Sequence, residues 1–215
     1  MVDETARRVA AALAARGETL AVAESATGGL ILSLLTDVPG ASVWLHGGLV
    51  AYTNSVKMEL LRVPPETLSA HGSVSAETAL AMARGAQRLF GTTWAVGETG
   101  IAGPQTGRRS TKPAGLTYIA VVGAHVPSGA TRIVDADSGV RDPAGAYPSH
   151  GADPGPRGPS GPRPEAPSNA RARPAVDPDS RVERVLLPDP DDRVATKRAF
   201  AAAALALLLG ALSRS

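Results

Sequence analysis

Apolar positions along the first 123 residues arrive in two rhythms. Asp3 to Arg16 and Ala76 to Phe90 place apolar residues three and four apart, the spacing of one helix face. Each stretch carries an acid in its first turn and is stopped by a glycine, Gly17 or Gly91, and Ser75 is the expected N-cap of the second. Between and after them come short unbroken apolar runs, Leu20–Ala23, Trp94–Gly97 and Leu116–Gly123, which read as strands buried on both faces. Thr27 to Leu35 predicts a second helix, and Val43 to Thr53 a strand region that Gly47-Gly48 bends or bulges. Ser55 to Leu61 reads as a helix, and Glu66 to Ala70 as a helical turn after Pro64-Pro65. Thr99 to Pro104 reads as a loop with two glycines and a proline. Helices alternating with buried strands predict an α/β layered domain with its functional groups at strand ends.

The pattern then breaks. From Ala136 to Ser180 there are 10 of the chain's 18 prolines, six glycines, one aromatic residue and almost no large aliphatics. Such a segment buries too little apolar surface to offset its ordering entropy and is expected to be disordered. Its five arginines are balanced by six acids, and its glycines lack the strict three-residue period of collagen. Arg181 to Leu187 resumes as a strand and Val194 to Leu212 as a helix. One domain, 1–135 with 181–215, is therefore expected to carry 136–180 as an insert at a hairpin tip.

Composition narrows the chemistry. The chain has no cysteine, so disulfides and thiolate catalysis are excluded, in keeping with a reducing, cytoplasmic setting. Its four histidines are scattered, none at a metal-ligand spacing from another, and no metal is expected. A net charge of +2 without basic runs, and 3% aromatic residues, give no sign of a nucleic-acid surface. The first residues lack a signal-peptide core, and the apolar run Ala199–Leu212 is shorter than the roughly 20 residues of a bilayer span. It reads as a core helix.

Candidate chemistry centres on Glu24-Ser25-Ala26-Thr27-Gly28-Gly29, which links the first apolar strand to an apolar helix. Amides at such a junction lack intrahelical partners and can hold an anion or a developing oxyanion, and glycine lets a substrate approach the backbone. On turn chemistry alone, Ser25 is equally a capping hydroxyl and the glycines a tight helix start.

Four ordered blocks resemble the C-terminal domain of the competence/damage-inducible CinA proteins, whose enzymatic members are nicotinamide-nucleotide amidohydrolases. They are the Glu24–Gly29 block, Gly47-Gly48-Leu49-Val50-Ala51-Tyr52-Thr53-Asn54 with Lys57, His71-Gly72-Ser73-Val74-Ser75, and Thr99-Gly100-Ile101-Ala102-Gly103-Pro104. Pro113 and Gly115 also match. The resemblance implies a three-layer α/β/α sandwich that hydrolyses the carboxamide of nicotinamide mononucleotide to nicotinate mononucleotide and ammonia, without metal or cofactor. It places the family's catalytic serine on Ser25, its tyrosine on Tyr52 and its lysine on Lys57. Further pocket positions fall on Ser42, Thr99 and Arg193. It also implies self-association, as dimers.

Those residue types make chemical sense. A serine hydroxyl needs a base, and a lysine can serve if burial disfavours its ammonium. Tyr52, five residues before Lys57, is placed to relay the proton or orient Ser25. Amides of Thr27, Gly28 and Gly29, or of Thr99 and Gly100, are candidates for the oxyanion and for the substrate phosphate, and Arg193 suits a phosphate. Each has an ordinary alternative: a helix lysine is by default solvated, and a strand tyrosine by default half-buried. Two departures from the family pattern stand out. Asp191-Asp192-Arg193 replaces the usual Gly-Asp-Arg, with Lys197 where a second arginine is usual, and Glu98 stands where a small or apolar residue is familiar. The added acid motivates an alternative reading as a non-catalytic nucleotide-binding or regulatory module. Another alternative makes the Pro/Gly-rich segment a docking arm.

Overall fold

The structure, a computed structural model, describes residues 2–104, 111–123, 180–187 and 192–213. In chain order the elements are α1 (Glu4–Arg16), β1 (Leu20–Glu24), α2 (Leu30–Thr36), a single 3-10 turn (Ala41–Val43), β2 (Leu45–Val50), α3 (Asn54–Glu59), α4 (Pro65–His71), α5 (Ala76–Phe90), β3 (Trp94–Ile101), β4 (Leu116–Gly123), β5 (Ser180–Leu186) and α6 (Arg193–Leu212). The five strands form one sheet in the order β2-β1-β3-β4-β5. β1 runs parallel to β2 and β3, whereas β4 is antiparallel to both β3 and β5.

Alternation along the strands explains the two helical layers. Leu20 and Val22 of β1, Trp94 and Val96 of β3, and Ile119 and Val121 of β4 face α1, α2 and α6 in one core. The intervening Ala21, Ala23, Ala95 and Ala120 face α5, whose own contact residues are Ala79, Met82, Ala83 and Ala86. Large side chains fill one side, and small ones let α5 lie close on the other. This is the three-layer α/β/α sandwich expected.

Local chemistry sets the element ends. Asp3 Oδ1 accepts from the Ala6 N–H at 2.9 Å and Ser75 Oγ from the Thr78 N–H at 3.1 Å, while Gly17 and Gly91 close α1 and α5 in the left-handed conformation. Gly47-Gly48 does mark a bulge: Leu20 pairs with Leu45 but Ala21 with Gly47, so His46 is the extra residue. Two of the departures from the sequence reading bear on the site. α2 begins at Leu30 rather than Thr27, because Gly28 and Gly29 hold positive φ angles of 66° and 98° that a helix cannot use. Residues 99–101, read as loop, continue β3 and pair with β4.

The Pro/Gly-rich insert lies outside the described residues except for Ser180, which is the first residue of β5 rather than the last of the insert. α6 is 20 residues long and mostly apolar, so by length and composition it could cross a bilayer, although the Ala199–Leu212 run alone could not. One face of it, with Ala201, Ala204, Leu205, Leu208 and Leu212, is buried in the α1/α2/α6 core.

Candidate active site

β1 and β3 run parallel, and their carboxyl ends lie side by side where β2 also ends. A cavity of about 240 Å³ opens there, lined by Ser25 and Ala26 after β1, Tyr52, Asn54 and Lys57 after β2, Ser73 and Val74 before α5, residues 99–104, and Arg193 of α6. Of the residues read as candidates from sequence, Ser25, Tyr52, Lys57, Thr99, Gly100 and Arg193 are brought together at this cavity.

Lys57 is the unexpected feature by composition. Instead of being solvated it is 1% exposed. Its position on α3, which starts directly after the β2 end with Thr53 as N-cap, turns the side chain inward. Its ammonium donates to Ser25 Oγ at 3.0 Å and to the Ala51 carbonyl at 2.5 Å. Burial disfavours the charged form and pushes the lysine down from 10.5 to about 8, against the opposing pull of the Glu98 carboxylate. Ser25 itself is 7% exposed and sits on the turn between β1 and α2.

Two buried carboxylates hold that turn. Glu24, the last residue of β1, accepts from the amides of Gly29, Ile31 and Leu32 at 2.8–3.2 Å. Glu98 on β3 accepts through Oε2 from the amides of Ser25 and Thr27 and from the Thr27 hydroxyl, at 2.8–3.1 Å, and through Oε1 from the Thr117 hydroxyl at 2.8 Å. The place of Glu98, unexplained by the sequence, is thereby accounted for.

This arrangement corrects the reading of Thr27, Gly28 and Gly29 as substrate-binding. The Thr27 and Gly29 amides are already taken, and the two glycines line a neighbouring cavity with Leu30, Ser33, Lys197 and Arg198. Among the described residues, the Ala26 amide has no hydrogen-bond partner, and Ala26 lines the Ser25 cavity. Ser42 is corrected as well: it lies exposed in the 3-10 turn before β2, at the opposite end of the sheet. Tyr52 is 65% exposed at the rim, and its phenol hydrogen-bonds neither Ser25 nor Lys57, so a proton relay through it is not built into this arrangement.

The remaining lining is anchored. Thr99 Oγ1 donates to the Ser73 carbonyl at 2.7 Å, and Ser73 Oγ donates to Asn54 Oδ1 at 2.7 Å. Arg193 Nη1 donates to the Gly103 carbonyl at 2.8 Å. Asp192, the acid that the family also carries before the arginine, caps α6 by accepting from the Val194 and Ala195 amides at 2.8 and 3.1 Å. Asp191, the added acid beside the proposed phosphate site, lies outside the described residues. Sequence reasoning missed Asn54, Ser73, Ala26 and Glu98 as site residues. The first three stand inside the family-like blocks, which was the available signal, but Glu98 departs from that pattern and carried none.

Fold and site together define an α/β/α domain with a buried serine–lysine pair at the carboxyl edge of its sheet. The chain belongs to the CinA C-terminal domain family, whose model matches residues 2–140. A CinA-like protein of Anaeromyxobacter sp. (strain K) is 51% identical over 140 residues, 65% of this chain and 33% of that protein. One from Synechococcus elongatus is 54% identical over 121 residues, 56% and 28% respectively. The match thus spans about a third of the length of these curated relatives. Among solved structures, competence/damage inducible protein CihA from Agrobacterium tumefaciens is 42% identical, with a TM-score of 0.54 over 57% of this chain and 74% of that one. A CinA superfamily protein from Klebsiella pneumoniae shares the fold, with a TM-score of 0.69 over 99% of this chain and 98% of that one at 23% identity.

Proposed function

We propose that this domain is a serine amidohydrolase that converts nicotinamide mononucleotide to nicotinate mononucleotide and ammonia, in pyridine-nucleotide recycling. The observation that carries the reading is the buried contact of 3.0 Å between Lys57 Nζ and Ser25 Oγ, with the lysine lowered to about 8. At pH 7 about one molecule in ten then holds a neutral amine able to act as a base.

In the neutral state Lys57 accepts the Ser25 hydroxyl proton as Oγ attacks the carboxamide carbon. The Ala26 amide, left without a partner, is the donor we assign to the oxyanion, in the position of the residue after the nucleophile. The Lys57 ammonium returns the proton to the departing nitrogen, the C–N bond breaks, and ammonia leaves an acyl ester on Ser25. Lys57, neutral again, takes a proton from water as the water oxygen attacks the ester carbon; the bond to Ser25 Oγ then breaks, Lys57 returns that proton to Oγ, and the acid formed leaves as the carboxylate with its proton lost to solvent. Arg193 at the mouth supplies the cation for the substrate phosphate, and exposed Tyr52 supplies an aromatic face at the rim for the pyridine or ribose.

The test is incubation of the purified protein with nicotinamide mononucleotide, measuring ammonia and nicotinate mononucleotide, with Ser25→Ala alongside. Equal amounts of both products from wild type, lost by more than about a thousandfold in the variant, are expected. Turnover retained by Ser25→Ala sinks the nucleophile assignment. Binding of the mononucleotide by folded wild type without product leaves the binding-module reading.

A further inference from the structure

Ser25 and Lys57 belong to different segments, and a third segment touches both turns of the problem. Glu98, on β3, is fully buried. Its four hydrogen bonds reach Ser25, Thr27 twice, and Thr117, so one carboxylate ties the nucleophile's turn to β3 and β4. We propose that Glu98 is a positioning residue for the amide hydrolysis: it fixes the Ser25 turn and supplies the counter-charge against which Lys57 works. The inference rests on the amidohydrolase reading for its chemistry, but the geometry it uses does not depend on turnover.

The carboxylate meets two needs that pull in opposite directions. As an acceptor for the Ser25 and Thr27 amides it removes the backbone freedom that would let the hydroxyl drift from Lys57, and a displacement of about 1 Å in such a site costs on the order of a hundredfold in rate. As a buried negative charge it favours the ammonium form, opposing the burial that disfavours it. Without the acid, burial alone would act, and Lys57 would be neutral over a wider range of pH but a weaker base.

Among the described residues, no other charged group at this end of the sheet takes that role. Glu24 of β1 is turned to the amides of α2, Arg193 of α6 holds the Gly103 carbonyl, and Glu59 of α3 is exposed. Lys112, ahead of β4, donates to the His71 and Val74 carbonyls, and Tyr52 stands at the rim. Glu98 is the acid whose field reaches Lys57.

The chemistry of Glu98 also supplies a clean variant. In Glu98→Gln the amide oxygen can take the place of Oε2 and accept from Ser25 and Thr27. The amide nitrogen then faces Thr117 Oγ1, which can accept from it while donating to the Thr99 carbonyl 3.1 Å away. Shape and hydrogen bonds survive, and only the charge goes.

The experiment follows Lys57 by NMR of lysine labelled at Cε, assigned by the signal missing from Lys57→Gln, in wild type, Glu98→Gln and Glu98→Asp. The expected result is that Lys57 titrates about one pH unit or more lower in Glu98→Gln than in wild type, and by a smaller amount in Glu98→Asp, whose charge sits on a shorter arm. The acid limb of kcat/KM for the mononucleotide should move with it. Superimposable Lys57 titrations in folded wild type and Glu98→Gln overturn the proposal. If Glu98→Gln does not fold, Glu98→Asp decides through the shortened reach: an unchanged kcat together with a Lys57 titration like that of wild type shows that the place of the carboxylate does not matter and overturns the proposal. Lack of turnover by wild type would remove the amidohydrolase reading and leave the titration result standing on its own.

Discussion

At the scale of single residues, the site is organised around a cation that the protein would rather not bury. An ammonium held to about 8 inside the fold, against 10.5 in the unfolded chain, makes folding release a proton between those values. Below pH 8 the lysine is charged in both states and the folded state bears the full desolvation penalty. As pH rises from 8 toward 10.5 the unfolded chain binds more protons than the folded one, so stability climbs. Lys57→Met removes the penalty and gives up the bond to the Ala51 carbonyl. It should therefore gain on the order of 2 kcal/mol over wild type at pH 7, a gap that narrows toward pH 10. Urea unfolding at several pH values checks this, and a gap independent of pH would refute the account. On the proposed mechanism, activity follows the same group with the opposite preference. kcat/KM of wild type should rise about tenfold per pH unit below about 8 and level off above it, while Lys57→Met stays inactive throughout. A flat profile between pH 6 and 9 would remove Lys57 as the base.

At the scale of elements, the site depends on how closely α5 lies against β3. Gly97 immediately precedes Glu98, and a Cβ there would sit 2.2 Å from the Ala79 carbonyl oxygen and 2.5 Å from the Ala83 amide nitrogen, both backbone atoms that cannot turn aside. Gly97→Ala should therefore push α5 away and cost about 1–3 kcal/mol, the range for overpacking a tight interface. It should also lower kcat more than it raises KM, because Glu98 and Thr99 move with the strand. An unchanged melting temperature would show that the contact has slack. Helix ends and strand runs were legible from the sequence because they rest on local signals: caps at Asp3 and Ser75, left-handed glycines at 17 and 91, and apolar runs. The Ser25 cavity was legible because its blocks are local too, and Lys57 and Arg193 reached it as read. What was not legible is long-range. Glu98 lies 73 residues from Ser25, and nothing in its neighbourhood says that its carboxylate consumes the amides of a turn on another strand. Thr27 and Gly29 looked like free anion donors for the same reason, and Ser42 came only from the family resemblance, which does not say at which end of the sheet its turn falls.

At the scale of the whole molecule, the site is closed by chain that lies beyond the family-matched stretch. Phe200 of α6 is buried against Ala26 and Ala102, so the last helix backs both the Ser25 turn and the facing loop, and Arg193 reaches the mouth from the same helix. That helix is reached through residues 124–179. β4 ends at Gly123 and β5 begins at Ser180, and the pairing of Val122 with Ser180 makes those two ends neighbours. They lie opposite Trp94, at the amino end of β3, whereas the cavity lies at its carboxyl end. A short turn can therefore replace 124–179 without altering either strand, since a two- to five-residue connection closes adjacent antiparallel strands. The replaced protein should keep its melting temperature and hold kcat/KM for the mononucleotide within about twofold of wild type, by the usual tolerance of exposed hairpin tips. Truncation after Gly123, which strips β5 and the buried face of α6 from the core, should instead leave no folded, active protein. Loss of turnover in the short-turn variant with its melting temperature intact would place a functional element of this site within 124–179, and would favour a docking arm over a spacer.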